Sequence, residues 1–425
     1  MSRTSSITGL AAAAALVVAS QAIGAEPSST ATERWVHTWA SMPQLTESSN
    51  MPPAPFTQNG VVLANATLRQ TVHVSVGGNQ LRLRFSNAFG GAPLPITAVT
   101  VAVPRGGLAG VNAVEPGTSR PVTFHGKAST TIQKGAQAVS DPISFPLAAQ
   151  ANLTVTTYLA QGQASTGITS HPGSRTTSHL LAGNHVDADA MSGSTPTDHW
   201  YFLSGVEVLS GPSTASLVVL GDSLTDGRGS TTNGNNRWPD QLLARLQAQP
   251  DTADVAVVNQ GAGGNSVLRG GLGPTALSRL DRDVLAQSGI EWLVVFEGVN
   301  DIGGSPATDA GRRQIAAELI DAYDQIILQS QAQGIRVFGA TLLPFGGNGY
   351  DDAAGHHEQA RQSVNTWIRT SGRFDAVIDF DQAVRDPAQP RRLKAAYDSG
   401  DHLHLNPAGY RALADAVPAH LLITA

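Results

Sequence analysis

The sequence predicts two unlike halves, an antiparallel β-sandwich followed by a three-layer α/β/α domain on a parallel sheet. Three observations predict this. Up to about residue 209, apolar residues alternate in short runs broken by glycine and proline, the pattern of half-buried strands joined by turns. From Thr214 the pattern changes to short continuous apolar runs alternating with amphipathic helices, as in strands buried on both faces by crossover helices. Between the two stands Ser210-Gly211-Pro212-Ser213, a linker by composition.

Before the first half, the chain opens Met1-Ser2-Arg3 and runs apolar from Leu10 to Ala19, with small residues around Ala22 and Ala25. A basic start, a short apolar stretch and a small-residue cleavage site predict a secretory signal peptide over residues 1–25. The stretch is too short to span a bilayer comfortably, and no later one is long and apolar enough. A periplasmic or extracellular location is therefore expected. The chain has no cysteine, so core burial rather than disulfides must stabilise it, which its 425 residues allow. The net charge of −6 is mild, and no basic tract addresses nucleic acid or anionic lipid.

The first half, residues 34–209, begins Arg34-Trp35-Val36-His37-Thr38-Trp39-Ala40. Residues 67–76 alternate, Gly77-Gly78-Asn79 reads as a turn, and residues 80–86 alternate again, which predicts a β-hairpin. Further strands are expected at 96–103, 122–125, 130–133, 153–159 and 199–208. In the second half, residues 214–425, strands are expected around 217–220, 255–258, 292–296, 335–342 and 376–379. Helices are expected over 238–246, where Leu242, Leu243 and Leu246 share a face, and over 315–330. Two more are expected from His356 to about Thr370 and, after Asn406-Pro407, from Ala408 to about Val417.

Candidate chemistry gathers where these strands end. The first run closes in Gly221-Asp222-Ser223, which puts a serine just past a strand's C-terminal edge, where open α/β sheets place their sites. The second run leads into the glycine-rich stretch Asn259-Gln260-Gly261-Ala262-Gly263-Gly264, able to bring backbone N–H groups to a ligand. It lacks the G-x-G-x-x-G spacing and the later acidic residue of a dinucleotide site. The third run ends in Gly298-Val299-Asn300-Asp301, where the Asn300 amide supplies a donor without a charge. Near the C-terminus, Asp401 and His404 stand three residues apart on a pre-helix loop, where a carboxylate can fix an imidazole's tautomer.

Together these segments resemble the SGNH (GDSL-type) hydrolase family over roughly residue 216 to the C-terminus. The resemblance implies Ser223 as nucleophile, Gly264 and Asn300 as oxyanion donors, and Asp401 with His404 completing a triad. The three-residue spacing selects His404 over His402. The position before the asparagine, usually glycine in the family, is Val299 here. The N-terminal half resembles an accessory β domain found ahead of this catalytic domain in some secreted members. Its Trp35, Trp39 and Trp200 could offer sugar-stacking surfaces, although aromatics at strand positions more often belong to a core.

In the implied chemistry His404 takes the Ser223 proton during attack on an ester carbonyl and then protonates the leaving alcohol, while Asp401 orients the ring. The N–H groups of Ser223 and Gly264 and the Asn300 amide hold the oxyanion. Neither metal nor cofactor is required. The adjacent His356-His357 pair lacks a third ligand at zinc-site spacing. Phe345, in the segment Ala340 to Gly347, is expected to border the site and line an acyl pocket.

The leading expectation is a secreted serine esterase releasing a short acyl group, most plausibly acetyl, from a sugar or similar alcohol. Its partner is then a small-molecule or polysaccharide ester. A GDSL lipase or lysophospholipase is the alternative, and acyl transfer to a sugar is chemically adjacent. From another class, a carbohydrate-binding module with a vestigial hydrolase half is disfavoured by the complete motif set.

Overall fold

The apolar runs of the second half form the sheet that positions the site. In the computed structural model, which describes residues 33–423, five strands pair in parallel. They are Ala215–Gly221, Val255–Gly261, Ile290–Phe296, Arg336–Ala340 and Ala376–Ile378. In space Ala215–Gly221 lies between Val255–Gly261 and Ile290–Phe296, and the other two follow in order beyond Ile290–Phe296. Flanked on both edges and covered by helices, Ala215–Gly221 is buried along its whole length, hence its unbroken apolar text. Helices Trp238–Gln247 and Pro407–Ala416 pack as one pair, and Asp309–Gln331 and His356–Thr370 as another. Their apolar faces share one core with the sheet, giving the α/β/α layers.

The first half is antiparallel throughout. One sheet orders Arg34–Ala40, Leu203–Ser210, Gly78–Ser86 and Gln137–Val139, with Ile143–Leu147 also pairing to Gly78–Ser86. The other orders Thr195–Thr197, Ser178–Ala182, Ala66–His73, Asn152–Leu159, Ala98–Ala102 and Arg120–Val122. Leu81, Phe85 and Val206 from the first sheet meet Leu68, Val99 and Val155 from the second in a single core. A third, three-stranded sheet places Thr169–His171 between Gln44–Leu45 and Trp200–Tyr201.

The expected hairpin at Gly77-Gly78-Asn79 does not form. Ala66–His73 and Gly78–Ser86 belong to different sheets, so the intervening residues cross from one sheet to the other. The crossing is pinned by a two-way exchange between Val76 N–H, the Thr38 hydroxyl and the Val76 carbonyl (2.9 and 2.7 Å). A Cβ on Gly77 would lie 2.3 Å from the Leu147 carbonyl, so glycine is needed for close approach rather than for a reverse turn. Alternation identified both strands but carries no information on the partner each one chooses.

Antiparallel pairing ends at Ser210 and parallel pairing begins at Ala215, and the described residues 33–423 cluster as one compact unit. The two halves meet over buried polar contacts. The Ser75 hydroxyl donates to the Val257 carbonyl and accepts from its N–H (2.7 and 3.1 Å), and Arg282 donates to the Pro43 carbonyl (3.0 Å). Buried Glu207 pairs with Arg82 and Arg84 of the first half and accepts from Ser288 of the second. Trp39 and Trp200 are core residues packed edge to face at 4.9 Å, and Trp35 lies under the Arg82 guanidinium. Trp39 and Trp200 are thereby unavailable as sugar platforms. The signal peptide expected at residues 1–25 lies outside the described residues.

Candidate active site

The end of Ala215–Gly221 shows why Gly-Asp-Ser makes a site. Asp222 accepts the Leu224 N–H (2.9 Å) and so caps the short helix Ser223–Asp226, turning the chain sharply at the strand's edge. Ser223 is the first residue of that turn. Its Oγ lies 2.7 Å from His404 Nε2, and His404 Nδ1 lies 2.6 Å from Asp401 Oδ2. Since a carboxylate can only accept, Nδ1 carries the proton and Nε2 is left to accept from the serine. Asp401 is itself held by the Leu403 and His404 N–H groups (3.0 and 2.8 Å). The other imidazole, His402, is exposed and pairs with Asp398 at 2.6 Å.

Electrostatics favour a neutral imidazole. Burial lowers the His404 pKa below its ordinary value; Asp401 opposes this, and Arg228 and Arg175 add to it. Burial would raise the Asp401 carboxyl, but hydrogen bonds from the His404 backbone and ring, aided by its charge and the Leu403 N–H, hold it down to about 2.

Asn300 and Gly264 face the same cavity as Ser223 and His404. Gly264 has φ +68°, a left-handed conformation suited to glycine. Among the described residues, no carbonyl or side chain accepts from the Ser223 or Gly264 N–H. Asn300 Nδ2 donates to the Asn265 carbonyl (2.7 Å), which fixes which end of the amide is nitrogen and leaves its second hydrogen free. Its Oδ1 accepts from the Tyr350 hydroxyl (2.8 Å). Behind it, Asp301 accepts the Val267 and Leu268 N–H groups (2.8 and 3.0 Å), tying the glycine-rich loop to the asparagine's own turn.

A buried arginine braces three strand ends from below. Arg279 donates to the Gln260 carbonyl (2.7 Å), the Gly221 carbonyl (3.1 Å) and Asn265 Oδ1 (3.0 Å), and it meets Glu297 at 3.3 Å. Burial raises two nearby carboxyls, Asp222 to about 7 and Glu297 to about 8. Each therefore holds its proton more tightly than an exposed carboxyl would, while the Arg279 charge works against that shift.

Phe345, expected at an acyl pocket, is buried in the core and packs edge to face on Tyr350, which lines the cavity in its place. Tyr350 escaped sequence reading because its segment lacks a local motif, although aromatic rings punctuate that post-strand loop. The N-terminal half also reaches the site. His171 Nδ1 meets the Met42 carbonyl (3.0 Å) and its Nε2 meets Asp226 Oδ1 (2.9 Å), a buried contact between the two halves. A Cβ on Gly173 would lie 1.8 Å from Asp226 Oδ2, so the two halves touch here without room for any side chain.

A serine on an acid-oriented imidazole, at the C-terminal edge of a parallel sheet beside an amide donor, is the arrangement of a serine hydrolase. Residues 219–412 match the model of the GDSL-like lipase/acylhydrolase family. None of the curated proteins compared with the chain matches it. Among solved structures, an acetyl xylan esterase from Geobacillus stearothermophilus is 22% identical, covering 48% of this chain and 93% of its own, with a TM-score of 0.36. Est24, a carbohydrate acetylesterase from Sinorhizobium meliloti, is 15% identical over 49% of this chain and 98% of its own, with a TM-score of 0.37. A GDSL-like lipase from Bacteroides thetaiotaomicron is 17% identical over 47% of this chain and 84% of its own, with a TM-score of 0.33.

Proposed function

We propose that the protein is an exported serine esterase that releases a short acyl group, most plausibly acetyl, from a sugar or a similar alcohol. The observation that carries this reading is the continuous Ser223–His404–Asp401 chain, with links of 2.7 and 2.6 Å. In this mechanism Ser223 Oγ attacks the ester carbonyl as its proton passes to His404 Nε2. The oxyanion is held by the N–H groups of Ser223 and Gly264 and by Asn300 Nδ2. His404 returns the proton to the departing alcohol oxygen, and a water activated the same way cleaves the acyl-enzyme to the free acid. Asp401 keeps the ring in the required tautomer and stabilises the imidazolium.

The preference for a short acyl group is supported by the cavity walls. Beside Ser223 these mix charged and polar side chains with apolar surface from Pro172, Leu272, Leu403 and Tyr350. The neighbouring cavity beyond Asn300 is bordered by Arg269, Asp301, Gln314 and glycines, with Ile315 and Pro306. A long acyl chain would desolvate these groups without replacing their hydrogen bonds. Export is supported by the leader expected at residues 1–25.

Hydrolysis of p-nitrophenyl acetate, butyrate, octanoate and palmitate by the mature protein and by Ser223→Ala tests the reading. Acetate turnover that falls by at least about 10⁴-fold in Ser223→Ala is expected. Faster turnover of octanoate or palmitate would replace the short-chain reading with the lipase one, and full activity in Ser223→Ala would remove the serine mechanism.

A further inference from the structure

The cavity beside Ser223 and His404 is closed on one side by the N-terminal half. We propose that this wall is the subsite for the leaving alcohol and that it takes a polyhydroxylated ring, a sugar. The proposal deepens the esterase reading above and rests on it for the identity of the leaving group.

Position comes first. The leaving oxygen receives its proton from His404 Nε2, so the alcohol must lie on the imidazole side of Ser223. The cavity there has a volume of about 420 Å³, within the range of small-molecule sites. From Ser223 and His404 it extends to Gln44, Glu47, Asn50, Arg175 and His199, all in the first half of the chain. The neighbouring cavity of about 520 Å³ shares Gly264, Asn300 and Tyr350 with it but includes neither Ser223 nor His404. The first half is thus placed against the alcohol rather than against the acyl group.

Chemistry selects the kind of alcohol. Glu47 accepts one amide hydrogen on each oxygen, from Gln44 Nε2 (2.5 Å) and Asn50 Nδ2 (2.9 Å). A carboxylate has about four acceptor sites, so lone pairs remain on a group already fixed in orientation. His199 Nδ1 lies 2.7 Å from the Pro172 carbonyl, which only accepts, so its Nε2 offers a lone pair. Arg175 brings donors, with Nη2 3.6 Å from Asp226 Oδ2. Acceptors and donors set on one wall match hydroxyl groups, which both give and take hydrogen bonds. A lipid alcohol would strip water from the same groups and leave them unpaired.

The wall is also built in advance. Thr46 donates to the Ser170 hydroxyl (2.6 Å), the Asn50 carbonyl accepts from the Tyr201 hydroxyl (2.7 Å), and the Arg175 carbonyl accepts from Asn233 N–H (2.9 Å). Arg175 is held at φ +49°, a conformation unusual for a residue with a side chain. Such strain persists only where surrounding contacts impose it, and it recurs at ligand-binding segments.

Two measurements on the full mature chain test the proposal. The first is kcat/KM on α-D-glucose pentaacetate relative to p-nitrophenyl acetate for wild type, Glu47→Gln and His199→Gln, with 1-palmitoyl-lysophosphatidylcholine as the lipid arm. The second is saturation-transfer NMR of methyl α-D-glucopyranoside on Ser223→Ala with and without Glu47→Gln. The sugar-to-aryl ratio is expected to fall at least about tenfold in Glu47→Gln, the loss of a charged hydrogen-bond acceptor, and clearly in His199→Gln. Glucoside binding to Ser223→Ala is expected to disappear when Glu47→Gln is added. Unchanged ratios, glucoside binding indifferent to Glu47, no glucoside binding, or preference for the lysophospholipid would each overturn the subsite. Glucoside binding that depends on Glu47 without hydrolysis of any ester would keep the subsite and overturn the esterase reading instead.

Discussion

The two halves of the chain reach the same cavity by different routes. The α/β half delivers its groups from the ends of three neighbouring parallel strands: Ser223 after Ala215–Gly221, Gly264 after Val255–Gly261, and Asn300 after Ile290–Phe296. Each group follows its strand within a few residues, so strand and site residue form one local sentence. The β half delivers Glu47, Arg175 and His199 from separate connections around its three-stranded sheet, with no common spacing. The difference teaches that bond-making groups here are fixed by local turns, whereas the surface facing the alcohol is fixed by long-range packing. A division of labour follows, in which changes in the α/β half act on kcat and changes in the β wall act on the choice of alcohol.

The largest effect that sharpens this comparison is expected at the oxyanion site. In the proposed mechanism Asn300→Ala removes a donor aimed at charge that develops only in the transition state, so kcat should fall by about 10²-fold or more, with little change in KM. Steady-state kinetics on p-nitrophenyl acetate checks it. A loss confined to KM would break the comparison, because Asn300 would then be a binding group like those of the β wall.

Tyr350 gives a smaller and more specific effect. It is a positioning residue, since its hydroxyl donates to Asn300 Oδ1 while the Asn265 carbonyl fixes the other end of the amide. Tyr350→Phe keeps the ring, which packs closely over Gly303. Losing one hydrogen bond worth roughly 1 kcal/mol should lower kcat about fivefold. In an Asn300→Ala background the same change should do almost nothing, and a double-mutant cycle measures that coupling. Additive losses in the cycle would show that Tyr350 acts elsewhere, for example on the substrate directly.

What the sequence disclosed tracks this local and long-range division. The five parallel strands and four main helices were legible because burial on both faces writes continuous apolar runs, and amphipathic packing writes a 3.6-residue period. Ser223, Gly264, Asn300, Asp401 and His404 could be singled out as candidates because each stands in a short motif at a strand end or a helix start. The hairpin at Gly77 was misread because alternation defines a strand's faces and not its partner. Phe345 was placed on the cavity because position near the site was legible but side-chain direction was not; the core took Phe345 and the cavity took Tyr350. Arg279 and Glu47 were invisible for a related reason. A buried arginine bracing three strand ends, and a carboxylate held by two amides, gain meaning only once distant segments have met.

The two halves act together at one point, the charge around His404. Arg228 from the α/β half and Arg175 from the β half both line the cavity, and both disfavour protonation of the imidazole. Burial is the larger cause and works in the same direction, while Asp401 works against them. The base is active when neutral, so a lowered pKa extends activity toward lower pH. The acid limb of the kcat/KM profile on p-nitrophenyl acetate should therefore lie below the ordinary imidazole value of about 6.5. Arg228→Gln and Arg175→Gln each remove a positive charge, so each should move that limb upward by a few tenths of a pH unit. The shift should be larger at low ionic strength, since salt screens charges at this partly open site. Equal shifts from the two variants would show both halves setting the base's protonation. A shift from Arg228→Gln alone would confine that control to the α/β half and leave the β wall only the alcohol.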